Sequence, residues 1–199
     1  MYSWEDKSNI FLTLRPELTA SVVRAFNQHN LRNLSPIQRF YYIGPLFRRE
    51  RPQKGRQRQF HQFGVEAFGS NNPEQDVEII AIAWKILSLC GLAIDTTLNL
   101  NSIGSNECRN NYRTALKNYL YPYIKDFSKT SQHRFDTNPL RILDTKSEKE
   151  QEILNDAPKI SDYHNKTDST HFESLKEFLK DMDLPFSINH KLVRGLDYY

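Results

Sequence analysis

Apolar and polar positions alternate along this chain in two rhythms, one near every second residue and one near every third or fourth. Residues 11–14 read as a short strand. Pro16 and Thr19 then open a helical spacing of Val22, Val23 and Phe26 that runs out near Asn30. Aromatic and β-branched residues crowd 40–47 and again 60–68, which predicts two strands paired antiparallel across a long connection. Asn72, Pro73 and Glu74 supply a cap, a first-turn proline and an N-terminal acid for a helix carrying Ile80, Trp84 and Leu87 on one face, with Gly91 as its stop. Residues 97–101 alternate as a half-buried strand does.

From Ser105 the rhythm becomes helical. Tyr112, Leu116, Tyr119 and Leu120 share one face, and Ser147 with Glu150 has the spacing of a capping box. A last helix carries Phe172, Leu175, Phe178, Leu179 and Met182 as an apolar stripe before Pro185 and a return strand at 186–193. Such stripes are read as core, not as cofactor contacts. The expected division is therefore a partial core at 1–104, a helical insertion at 105–185, and a return to the core at 186–199. The sequence stops at Leu196-Asp197-Tyr198-Tyr199 without a polar tail, which reads as a cut end.

Composition narrows the class without naming a partner. With 38% hydrophobic and 26% charged residues in 199, the chain has enough apolar content to fold and a polar surface. It has no apolar run of the ~18 residues a membrane helix needs and no secretory pattern at Met1, so a cytoplasmic location is expected. Cys90 and Cys108 lack the spacing of a disulfide framework or a thiolate zinc site. The net charge of +3 is small, but six of the eleven residues in 48–58 are basic.

That basic stretch, running on through Gln59-Phe60-His61-Gln62-Phe63-Gly64-Val65-Glu66, is the richest in chemistry. Guanidinium groups match phosphate oxygens with paired planar donors, so Arg48 and Arg56 suit two points on a polyphosphate. Gln62 and Glu66, four apart on a strand, project from one face and can read one small polar ligand. His61 reads as structural or as a loop contact. From residue types alone, a solvated loop, a nucleic-acid contact and a nucleotide site all remain open.

The stretch resembles the second signature motif of class II aminoacyl-tRNA synthetases, and Arg51-Pro52-Gln53-Lys54-Gly55-Arg56 with Arg58-Gln59-Phe60-His61-Gln62 is similar to the histidyl-tRNA synthetase form. Leu14-Arg15-Pro16-Glu17-Leu18-Thr19 resembles that family's amino-acid loop, and Leu192-Val193-Arg194-Gly195-Leu196-Asp197-Tyr198-Tyr199 resembles a motif peculiar to it. The likeness extends through Leu98-Asn99-Leu100-Asn101-Ser102-Ile103-Gly104 and Asn138-Pro139-Leu140-Arg141-Ile142-Leu143-Asp144. It implies an α+β fold of the class II synthetase type, an antiparallel sheet with flanking helices and a helical insertion that meets the tRNA acceptor stem.

The resemblance also implies the chemistry. Histidine attacks the α-phosphorus of ATP through its carboxylate, and the acyl group of the resulting adenylate then passes to tRNA(His). Arg48 and Arg194 would be catalytic. Arg48, Glu50 and Arg56 would hold ATP, which arrives with Mg2+ as a substrate complex and not as a resident cofactor. Glu17, Leu18, Thr19 and Gln62, with Arg48 and Arg194, would form the amino-acid end of the histidine site, and Glu66, Tyr198 and Tyr199 the imidazole end. Leu18 stands where the family usually has glycine, so a strained backbone and weakened histidine binding are expected if that position needs positive φ. The family's first motif, third motif and anticodon-binding domain are not in these 199 residues, so the chain reads as a fragment of a homodimeric enzyme, poorly active alone. Two other readings are a silent synthetase-like subunit regulating ATP phosphoribosyltransferase, which the intact Gln62, Glu66, Arg194 and Tyr199 disfavour, and a plain RNA-binding module, which leaves Glu17, Gln62 and Glu66 unexplained.

Overall fold

Strand β1 (Ser3–Glu5) pairs antiparallel with β2 (Phe11–Thr13), and helix α1 (Thr19–Gln28) follows. The long strands β3 (Gln38–Phe47) and β4 (Gln59–Phe68) then form an antiparallel ladder in register from Gln38 opposite Phe68 to Phe47 opposite Gln59. Helix α2 (Pro73–Leu89) and strand β5 (Leu98–Leu100) lead into the helices α3 (Asn106–Leu120), α4 (Lys129–Thr137), α5 (Glu148–Asn155) and α6 (Lys166–Asp181). Strand β6 (Phe186–Ile188) closes the order. This computed structural model describes residues 1–51 and 53–193. Arg194, Tyr198 and Tyr199 lie outside the described residues, as does Pro52.

Met1–Gln75 forms one compact unit and the chain from Asp76 onward a second. In the first, α1 lays Phe26 on the inner face of the β3–β4 ladder. Phe26 stacks on Phe68 with centroids 4.6 Å apart and meets Phe40 edge-on at 6.3 Å. Leu46 is the one fully covered apolar side chain among the described residues of this unit. The opposite face of the ladder leaves Tyr41, Ile43 and Phe63 exposed, with Ile43 directly across from Phe63.

The second unit has two cores. One gathers Tyr112, Leu116 and Leu120 of α3 with Phe127, Leu140, Ile142, Leu143, Leu154 and Ile160. Full burial of each leucine here contributes about 2 kcal/mol. The other joins Val77 of α2, Leu100 of β5, and Leu175 and Leu179 of α6, with Phe172 and Phe178 packed against it. Met182, expected in the same stripe, caps α6 and is half exposed.

Two helix starts depart from the sequence reading. Ser147 does accept the amide of Glu150 at the start of α5, but Glu150 does not return to the cap as a capping box requires. Its buried carboxylate instead accepts from the Ser128 amide at 2.7 Å, the Ser131 hydroxyl at 2.7 Å and the Thr145 hydroxyl at 2.5 Å. Three donors inside the core outbid one amide near the surface. The reciprocal box sits at α6, between Asn165 and Asp168, and Asp168 also accepts from the amide and hydroxyl of Ser105 at 3.0 and 2.9 Å. One carboxylate thereby ties the starts of α3 and α6.

The return strand is shorter than expected and pairs parallel, Leu98 opposite Phe186 and Leu100 opposite Ile188. A parallel neighbour requires a long crossover, and here α3 to α6 provide it. At the end of α2, Gly91 takes φ +72°, its amide donating to Ser88 O and that of Leu92 to Leu87 O. That is the left-handed cap for which glycine is favoured.

Candidate functional site

The inner face of the β3–β4 ladder carries the polar residues singled out above. Residues 62, 64 and 66 alternate onto the same side as Phe40, Tyr42, Gly44 and Leu46, and the register sets Tyr42 opposite Gly64, Gly44 opposite Gln62 and Phe40 opposite Glu66. A Cβ at position 64 would sit 2.2 Å from the Tyr42 ring, so the ring takes this place over the strand because residue 64 is glycine. The ring lies over this gap, and its hydroxyl takes a hydrogen bond from Gln62 Nε2 at 3.3 Å. Tyr42 was not singled out from the sequence. Its signal is an aromatic facing the lone glycine between two ligand-type residues.

Thr19 begins α1 and donates its hydroxyl to Glu66 Oε1 at 2.6 Å, so the start of α1 and β4 meet at this point. Glu17 turns its carboxylate to the amide of Ala20 at 3.1 Å and thereby caps α1 from outside the helix. Leu18, the N-cap residue, has φ −120° and ψ −11°. This corrects the expectation of backbone strain: position 18 is not left-handed, and leucine is accommodated there with Cδ1 beside Gly44.

Arg48 continues β3 past the ladder. Its Nε donates to Pro16 O at 2.9 Å, its amide donates to Arg58 O at 2.9 Å, and its guanidinium lies 5.1 Å over the Phe60 ring. A cation over an aromatic face and a carbonyl is aimed before any anion arrives. Farther out, Arg56 Nη1 pairs with Glu50 Oε2 at 3.1 Å in an exposed loop. The loop turns through Gly55 at φ +79°, with the Arg56 amide on Gln53 O at 2.9 Å. Glu50 and Arg56 are thus brought together, but away from Gln62 and Glu66 along the ladder. His61 falls on the opposite, exposed face, beside Phe63.

In the second unit, the segment that leads toward Arg194 is held on both sides. Asn101 Nδ2 donates to His190 O at 3.3 Å and Leu192 O at 3.0 Å, and Val193 packs against the helical core. Burial first, and then the nearby Lys159 cation, hold the His190 imidazole below its ordinary pKa. Among the described residues no group of three or more histidines, cysteines or acids is arranged to hold a metal ion, and no helix is long and apolar enough to cross a membrane. Cys90 and Cys108 are both free.

Comparison with known proteins agrees over the whole length. The profile of the histidyl-tRNA synthetase family matches residues 1–199. The chain is 48% identical to a histidine–tRNA ligase of Protochlamydia amoebophila over 199 residues, all of this chain and 47% of that protein. It is 51% identical to one of Cyanothece sp., again over all of this chain and 46% of the relative. The crystal structure of apo S. aureus histidyl-tRNA synthetase superposes with a TM-score of 0.76 at 38% identity, covering 100% of this chain and 46% of that one. The backbone and sequence are those of an aminoacyl-tRNA synthetase. Within that class, the chain belongs to the histidyl-tRNA synthetase family. It spans about half the length of the curated relatives it matches.

Proposed function

We propose that this chain is the central part of a histidine–tRNA ligase that activates histidine with ATP and transfers it to tRNA(His). The observation that carries the reading is the Thr19–Glu66 hydrogen bond, which joins the amino-acid loop to the strand that also bears Gln62. Glu17, Leu18, Thr19 and Gln62 contact the ammonium and backbone of histidine, while Glu66, Tyr198 and Tyr199 read the imidazole. A ligand with two ring nitrogens lets such a polar pocket reject apolar amino acids, because they leave its polar groups unpaired.

Arg48 binds the α-phosphate and the substrate carboxylate. Negative charge builds there as a carboxylate oxygen bonds to phosphorus and the bond to the departing pyrophosphate breaks, so fixed cations lower the barrier. Arg194 is the second cation of this step. Glu50 and Arg56 hold the nucleotide and its terminal phosphates, and Mg2+ enters with ATP. The complete protein is a cytoplasmic class II homodimer. Its working divisions are 1–104 and 186–199 as parts of the catalytic core and 105–185 as the helical insertion, which meets the tRNA acceptor stem.

The test is histidine-dependent exchange of pyrophosphate into ATP by the complete protein. Arg48→Ala is expected to lower kcat/KM by at least 100-fold, about 2.7 kcal/mol of transition-state stabilisation. Glu66→Gln is expected to raise the KM for histidine about tenfold. A wild-type protein without histidine-dependent exchange would overturn the reading.

A further inference from the structure

We propose that Arg15 is a positioning residue for histidine binding, the side chain that fastens segment 14–19 to the open edge of β3. The inference deepens the histidine-activation reading above and rests on it. The Phe47 amide donates to Arg15 O at 2.9 Å, and Arg15 Nε donates to Pro45 O at 2.9 Å. Residues 45 and 47 are two apart on a strand, so these groups point to the same edge. The next amide, that of Arg48, turns the other way and donates to Arg58 O, so the edge that Arg15 meets is the one facing away from β4. Pro45 offers that edge a carbonyl but no amide hydrogen, and a side-chain donor satisfies it where a full strand partner would leave its own acceptor unmet.

The same side chain reaches the inner face of the ladder. A Cβ built on Gly44 would lie 3.3 Å from Arg15 Nη2 and 3.5 Å from Leu18 Cδ1, so both side chains lie over Gly44, whose partner across the ladder is Gln62. Arg48 Nε on Pro16 O at 2.9 Å and the Thr19 hydroxyl on Glu66 Oε1 at 2.6 Å also hold the segment to the hairpin. Those bonds use groups that the activation reading assigns to substrate. The bonds of Arg15 use none, so they persist whether the site is empty or filled. Glu17 and Thr19, the ammonium-binding residues of that reading, follow two and four residues after Arg15. Holding them in place beforehand removes ordering that binding would otherwise have to supply. Loss of the Arg15 tether therefore weakens capture of histidine and spares ATP, which Glu50 and Arg56 hold in the same reading.

The experiment uses the complete protein and measures histidine-dependent pyrophosphate exchange per active site, with active sites titrated by the burst of adenylate. Arg15→Met, at an exposed position, keeps the aliphatic stem and removes the donor. It is expected to raise the KM for histidine at least tenfold, with the KM for ATP within twofold and kcat within threefold of the parent. Arg15→Lys, which keeps a donor on a stem of similar length, holds the histidine KM within threefold. Hydrogen exchange at the Phe47 amide should be at least tenfold faster in Arg15→Met than in the parent, a readout that does not depend on turnover. An active parent whose Arg15→Met variant keeps its histidine KM within twofold, or its Phe47 exchange unchanged, overturns the inference alone. So does an equal rise in both KM values, a loss that tracks only the fraction of active sites, or an Arg15→Lys variant as impaired as Arg15→Met. A parent without histidine-dependent exchange overturns the activation reading and this inference with it.

Discussion

Leu18 shows how a residue-level expectation depends on a backbone angle. A leucine in a glycine position suggests strain, but φ −120° is ordinary for leucine and its side chain has a place beside Gly44. Leu18→Gly is therefore expected to destabilise the protein by about 1 kcal/mol through added unfolded-state freedom, measured by urea denaturation. No gain in histidine affinity is expected on titration calorimetry. Gly64 is the opposite case, a glycine whose missing Cβ leaves room for the Tyr42 ring across the ladder. Gly64→Ala drives a methyl group into the Tyr42 ring and should cost about 2 kcal/mol, while removing the Gln62 partner from its place. A variant as stable as the parent would show that Tyr42 can move aside at no cost.

At the scale of elements, Glu150 joins α5 to the start of α4 and to Thr145. Burial pushes its carboxyl pKa up, but hydrogen bonds from Thr145, Ser128 and Ser131 together outweigh burial and hold it below the ordinary value of 4.5. A depressed folded-state pKa means stability that is present above the unfolded value and lost as pH falls through the folded one. The helical core should therefore weaken from about pH 4.5 downward, and Glu150→Gln should remove that part of the acid dependence while costing about 2 kcal/mol at neutral pH. His190 adds an earlier step of the same sign. Its folded pKa lies below 6.5, so unfolding takes up a proton as pH drops past that value. Denaturant midpoints measured from pH 7 down to about pH 2 should fall in two stages, with the first absent in His190→Asn.

For the whole molecule, apolar burial is unequally shared. The unit Met1–Gln75 covers Leu46 and an aromatic cluster and leaves Tyr41, Ile43 and Phe63 exposed, whereas the helical unit has two cores. Hydrogen exchange should accordingly be at least tenfold faster in the amides of β3 and β4 than in those of α3, and equal protection would contradict this ranking. The elements themselves were legible in the sequence because amphipathic period and caps are local: 40–47 and 60–68 are strands within β3 and β4, and the Ser105 and Gly91 boundaries coincide with a cap and a left-handed turn. The motifs were legible for the same reason, since they are runs of neighbouring side chains, and their likeness to histidyl-tRNA synthetases agrees with the match over residues 1–199. What only the tertiary structure decided concerns partners far apart in the chain. Thr19 meets Glu66, Tyr42 meets Gln62 across a glycine, β6 pairs parallel with β5, and Glu150 turns from its own cap toward three donors in the core. Hydrophobic period specifies which face of an element is buried, but a hydrogen bond between distant residues depends on register and packing, which are set when those faces close on one another.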